Sequence, residues 1–238
     1  MRSLTALSSL LIFLTSVTHA DELFDLRRAV ETDNARAVHA LIQSGKVTVN
    51  TRLLAPGMNP PGMPILGLAA REGSVNVADY LIRAKADLDL KNTYGETPLM
   101  LAALFNDQGT GDGDPTVQYT KHEKIARQLM QSGADLQNAG SPGDYDALTY
   151  STFYSHIRIT RALLDRGAPV NSFAVDRKSR VPTALMIAAM NGDRASVQLL
   201  LDRGADKCIQ DGWGHDAAYM AKKNDHLDLL PLVECPNP

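Results

Sequence analysis

Apolar residues in this chain recur in short blocks, each with the spacing of a helix that buries one side. Pro64-Ile65-Leu66-Gly67-Leu68-Ala69-Ala70 is followed by the polar run Arg71-Glu72-Gly73. Thr97-Pro98-Leu99-Met100-Leu101-Ala102-Ala103 repeats the pattern 33 residues on. Thr183-Ala184-Leu185-Met186-Ile187-Ala188-Ala189, followed by Met190-Asn191-Gly192, repeats it again. A second apolar-faced stretch follows each block, as in Val197, Leu199, Leu200 and Leu201. It closes on a turn: Gly133-Ala134-Asp135, Gly167-Ala168-Pro169 or Gly204-Ala205-Asp206. Thr at the head of a block is an N-cap, and Pro in the first turn forfeits no amide donor. The elements predicted are pairs of short helices, and no pair can bury its apolar side alone, so the pairs must stack.

The blocks resemble the ankyrin repeat, whose signature is T-P-L-H-x-A at a period of about 33. The resemblance covers nearly all of the chain beyond its first residues. It implies an all-α solenoid of about six helix-turn-helix units with short β-turn fingers. The units lie near 21–63, 64–96, 97–145, 146–182, 183–215 and 216–238. The fourth is degenerate, reading Asp146-Ala147-Leu148-Thr149-Tyr150-Ser151-Thr152. The first and last depart from the pattern, as terminal repeats do when their outer sides meet water. Three insertions break the period: Leu53 to Met63, Asp107 to Lys121 and Ser172 to Val181. The middle one falls between the two helices of unit three and reads as a surface loop.

Composition sharpens this picture. Hydrophobic residues make up 44% and charged residues 21% of the 238, which predicts a folded chain. Aromatics are only 5%, so the core must use Leu, Ile, Val and Ala. A formal charge of −3 argues against a general nucleic-acid binder. Residues 1–20 read as a secretory signal: Arg2, an apolar run centred on Leu10 to Leu14, then Thr18 and Ala20 at the −3 and −1 positions of a cut before Asp21. The run is short for a membrane span. Its removal deletes Arg2 and no acid. The expectation is an exported protein, periplasmic or secreted, that does not engage the membrane once cleaved.

No catalytic constellation emerges, and no catalysis, cofactor or metal is expected. His122, His156 and His226 each follow an inter-helix turn, where the ankyrin pattern itself carries a histidine. Asp107, Asp112 and Asp114 lie among glycines. They read as a solvated acidic loop, since the ligand spacing of a calcium-binding loop is missing. Two cysteines exclude a zinc ribbon or a disulfide-dense scaffold. Cys208 and Cys235 fall near equivalent helix ends of adjacent units, and in an oxidising compartment a disulfide between them is expected.

Ankyrin-family proteins bind partners through turn tips and the exposed ends of the first helices, which line a concave face. Carried onto this chain, the resemblance points to Leu104 and Phe105, Phe153 and Tyr154, and Met190 as helix-end positions. Tyr94, Tyr145 and Trp213 are the turn positions. For Phe105 and Phe153 the alternative is packing beneath the insertion. Clustered exposed aromatics mark interaction surfaces. The leading expectation is a monomeric, non-enzymatic module that recognises another protein through this face. It also resembles exported bacterial ankyrin-repeat proteins. The narrower versions are an immunity protein against a delivered toxin and an accessory to a periplasmic detoxifying enzyme. Alternatives of another class are a metal-dependent enzyme using the 107–121 loop and a secreted effector.

Overall fold

The computed structural model describes residues 21–53, 62–104, 120–138, 145–172 and 181–236. Their helices pair in chain order. Helix α1 (21–31) pairs with α2 (Ala35–Gln43), α3 (Ile65–Glu72) with α4 (Val75–Arg83), and α5 (Pro98–Leu104) with α6 (Lys121–Gln131). Then follow α7 (Ala147–Phe153) with α8 (Ile157–Asp165), and α9 (Ala184–Asn191) with α10 (Arg194–Asp202). The last pair is α11 (Ala217–Lys223) with a 3-10 turn (Leu227–Leu229) running into α12 (Leu230–Val233). From α3 onward, each first helix packs on the next: α3 on α5, α5 on α7, α7 on α9, α9 on α11. The second helices form a parallel row in the order α2, α4, α6, α8, α10, α12. The fold is an all-α solenoid.

The N-caps follow from residue chemistry. Thr97 accepts from the Met100 amide, Asp146 from Thr149, Thr183 from Met186 and Asp216 from Tyr219. Thr120 caps α6 through the Glu123 amide. Lys121 is therefore the first helical residue of α6 and not the end of a loop. The rest of that insertion, residues 107–119, lies outside the described residues.

The insertion after unit one opens from a short antiparallel pair, β1 (Arg52–Leu53) against β2 (Met63–Pro64), with Leu53 opposite Met63. Arg52 fastens this pair to the next finger by donating to the carbonyls of Gly62 at 3.0 Å and Lys91 at 2.6 Å.

The buried apolar core among the described residues is Leu, Ile, Val, Met and Ala, without one aromatic side chain. Unit four departs from this rule. Ser151 and Thr152 replace the Ala pair and are fully buried. Both hydroxyls bond the Leu148 carbonyl, and Ser151 also meets Thr160 at 2.9 Å, so none of this buried polarity is left unsatisfied.

Polar side chains tie neighbouring units together. His122 bonds the Arg71 carbonyl at 2.9 Å and His156 the Ala103 carbonyl at 2.8 Å, each reaching one unit back. This is the structural role expected of histidine at that position. Glu123, whose side chain is almost wholly buried, bridges Arg127 on its own helix and Arg158 on the next unit's second helix. The Cys208–Cys235 disulfide forms, with Cα atoms 5.0 Å apart, and joins the finger base of unit five to the residues just past α12.

Candidate protein-binding face

Two fingers of the solenoid share one geometry. Asn92 Oδ1 accepts from the amides of Tyr94 and Glu96, and Asp211 Oδ1 accepts from those of Trp213 and His215. A backbone bond from Asn92 N–H to the Glu96 carbonyl, matched by Asp211 to His215, closes each finger. Gly95 and Gly214, both at φ +81°, turn the chain at the tip. This construction lifts Tyr94 and Trp213 into solvent; Trp213 is 58% exposed.

Tyr145 is not at such a tip. Counted from the N-cap, it is the residue just before Asp146, the register that Glu96 and His215 occupy in their units. Its ring lies back along α7, edge-on to Tyr150 with centroids 5.5 Å apart and 6.1 Å from Phe153. Burial pushes the Tyr145 phenol above its ordinary titration range, and the neighbouring Tyr154 adds to the shift. Phe153 and Tyr154, at the end of α7, are both exposed, with ring centroids 5.1 Å apart. Tyr154 in turn stacks on His156 at 6.0 Å. The result is one contiguous aromatic patch on unit four, from Tyr145 through Phe153 and Tyr154 to His156. Asn191 of unit five fixes its edge by donating to the Phe153 carbonyl at 2.8 Å.

The other helix-end positions differ. Leu104 is half-buried and packs against the core. Met190 is half-buried at the same register of α9. Phe105 lies outside the described residues. Two participants escaped the sequence reading. Tyr150 enters the patch through Tyr145. Tyr219, one helical turn from Lys223, lies flat on His215 with centroids 3.8 Å apart. Its signal was position: it stands three residues after its N-cap, where units three to five carry a buried Met or Thr.

Among the described residues no group of His, Cys, Asp and Glu is arranged to hold a metal ion. No described helix is long and apolar enough to cross a membrane.

The family model for ankyrin repeats, in its three-copy form, matches residues 26–110 and 116–211. The chain belongs to the ankyrin-repeat family, whose repeats are protein–protein interaction modules. It is 26% identical over 162 residues to an ankyrin repeat-containing protein of Treponema pallidum, a match covering 68% of this chain and 48% of that protein. It is 25% identical over 186 residues to a candidate E3 ubiquitin-protein ligase of Arabidopsis thaliana, covering 72% and 38%. It is 26% identical over 167 residues to the mitochondrial disaggregase of Bos taurus, covering 70% and 22%. The chain thus spans about half of the first of these relatives and less of the others.

Proposed function

We propose that this chain is an exported binding module that captures another protein on the face formed by its fingers and first-helix ends, without chemistry of its own. Residues 1–20 serve as a removable export signal, and the remainder works in the periplasm or outside the cell as one ankyrin domain of six units. The observation that carries the reading is the aromatic patch on unit four. Among the described residues no aromatic is fully buried in the core, yet Tyr145, Phe153 and Tyr154 gather along one first helix. Aromatic rings supply large contact area at low entropic cost, and clusters of them are the usual anchors of protein interfaces. Tyr94 and Trp213 stand exposed on fingertips elsewhere along the stack. The Cys208–Cys235 bridge suits an oxidising compartment.

The test is a triple variant, Tyr145→Ala, Tyr154→Ala and Trp213→Ala. It should keep the cooperative unfolding of the wild type and lose capture of the partner from an extract of the exported fraction. Retrieval of the same partner by the folded variant overturns the assignment.

A further inference from the structure

Among the described residues, neighbouring units are fastened to each other along two edges of the stack, with one exception. First helices start and second helices finish at the finger edge, and the inter-helix turns lie at the other. At the turn edge each junction carries a link. Ser74 Oγ donates to the Val30 carbonyl, His122 bonds that of Arg71, His156 bonds that of Ala103, and Asn191 donates to that of Phe153. Between units five and six, Arg194 donates to the Asp228 carbonyl. At the finger edge, Asn50 accepts from the Asp87 amide, Asp89 from that of Asp135 and Asn171 from that of Asp206. The Cys208–Cys235 bridge does this for units five and six. Units three and four lack the finger-edge bond. The residues in its register are Gln137 and Pro169, and proline has no amide hydrogen.

Unit four adds to the gap. Its cap residue Asp146 stands at the finger edge and is fully buried. Asp146 Oδ1 accepts from the Thr149 amide and hydroxyl, while Oδ2 is buried without a hydrogen-bond partner. A carboxylate oxygen in that state is costly, and water reaching it relieves the cost. Thr97 and Thr183 place a single hydroxyl at the same cap and leave no such atom. The hydroxyls of Thr149, Ser151 and Thr152 bond inside unit four and so hold nothing across to α5. The turn edge of this junction, by contrast, is tied twice. His156 Nδ1 lies 2.8 Å from the Ala103 carbonyl, and the Glu123 carboxylate, 2% exposed, lies 2.9 Å from Arg158 Nε.

We propose that the junction between units three and four is a hinge. It opens at the finger edge by a small tilt and pivots on the Ala103–His156 and Glu123–Arg158 links at the turn edge. Among the described residues, opening breaks no finger-edge hydrogen bond, and it admits water to the Asp146 carboxylate. At the other junctions the same tilt breaks an amide rung or is stopped by the disulfide. The hinge divides the binding face. Tyr94 rides with units one to three, whereas Tyr145, Phe153 and Tyr154 ride with units four to six. Opening therefore changes the spacing between the Tyr94 fingertip and the aromatic patch, and a partner that touches both selects one angle.

Supplying the missing rung tests it. The rung donors are aspartate amides and asparagine is an acceptor in two of the rungs, so Gln137→Asn with Pro169→Asp builds the absent bond. In native-state hydrogen exchange, the finger bases that border the gap, residues 136–138 and 170–172, should exchange about tenfold faster than 88–90 and 207–209, which border none. The repaired chain should lose that difference. Spin labels at Gln43→Cys on α2 and Ala195→Cys on α10, both exposed positions, stand on either side of the hinge. Their distance distribution in pulsed electron resonance should be broad in the wild-type background and narrow on repair. If circular dichroism shows the repaired chain unfolded, Asp146→Thr takes its place. That variant keeps a capping hydroxyl, as in Thr97 and Thr183, removes the unpartnered oxygen, and should narrow the distribution too. Equal exchange at all four finger bases overturns the proposal. So does fast exchange with a narrow wild-type distribution, the mark of local fraying, or a folded closing variant whose distribution stays as broad as the wild type's. No measurement here uses the partner, so the result is separate from that of the triple variant.

Discussion

Asp89 Oδ1 accepts a hydrogen bond from the backbone amide of Asp135, one unit further along, at 3.0 Å. The same rung joins Asn50 to the Asp87 amide at 2.9 Å and Asn171 to the Asp206 amide at 3.0 Å. It is missing between units three and four, where the aligned residues are Gln137 and Pro169 and proline has no amide hydrogen to donate. Between units five and six the acceptor position holds Cys208, and the link to the next unit is covalent. The finger bases are thus joined by amide rungs, with one gap and one disulfide.

Asp89 is the rung whose acceptor carries a charge in poor surroundings. Burial raises its carboxyl above the usual range; the Asp135 amide opposes this, while the Asp135 and Asp87 carboxylates add to it and Lys91 offsets part. An acid whose folded-state titration is raised binds its proton more readily folded than unfolded. Its favourable contribution is present below the unfolded value and is lost as pH rises through the folded one. At neutral pH the ionised Asp89 therefore costs stability. Asp89→Asn keeps the acceptor, as Asn50 and Asn171 do, and removes the charge. The variant should be more stable by about 0.5 kcal/mol at neutral pH, the scale of solvent-screened charge pairs. The gain should vanish in acid once wild-type Asp89 is protonated. Urea midpoints across pH check both the size and the disappearance.

The disulfide closes a sequence separation of 27 residues. In the chain-entropy view such a crosslink contributes roughly 3.5 kcal/mol by restricting the unfolded chain. Apart from Leu229 and Val233, little is buried on the last half-unit. Its other links there include Lys207 to the Leu232 carbonyl at 3.3 Å, Lys222 with Glu234 at 3.7 Å and Arg194 with Asp228 at 3.6 Å. Cys208→Ser with Cys235→Ser should lower global stability by that amount or less. The loss of amide-exchange protection should concentrate in residues 217–236 and fade toward α9. Uniform loss across all helices would show that the bridge acts on the whole stack rather than its end.

The repeats were legible in the sequence because each local rule agreed with the fold. Thr97 and Thr183 cap helices, the Ala pairs sit where first helices touch, and the apolar faces needed a neighbour. The cysteine pairing followed from repeat geometry. The aromatic site was less legible. Tyr145 reads as a turn residue until unit four is aligned on its Asp146 cap, and the degenerate Ser151-Thr152 obscures that alignment. Tyr219 reads as a core position because the residues at its register in units two to five, Gly67, Met100, Thr149 and Met186, are all buried. The rungs were invisible because their acceptors are Asn in two units and Asp in a third, and because a backbone donor leaves no residue signature.

Gly192 ends α9 with φ +70°, and its hydrogen faces the His226 ring of the next unit so closely that a Cβ there would lie 2.5 Å from Cε1 and Nδ1. Gly133 has a similar backbone, at φ +94°, with nothing within 4 Å of its Cβ position. Comparing the two separates conformational strain from inter-unit packing. Gly133→Ala should cost about 1 kcal/mol, the left-handed penalty alone. Gly192→Ala should cost about 3 kcal/mol, because the ring must also be displaced from the gap between units five and six. Removing the ring with His226→Ala should then make the added methyl tolerable. The cost of Gly192→Ala in that background should fall back toward the Gly133→Ala value, a coupling that a double-mutant cycle in urea reads directly. Equal costs at the two glycines in the wild-type background would mean that His226 swings aside freely and holds nothing at that junction.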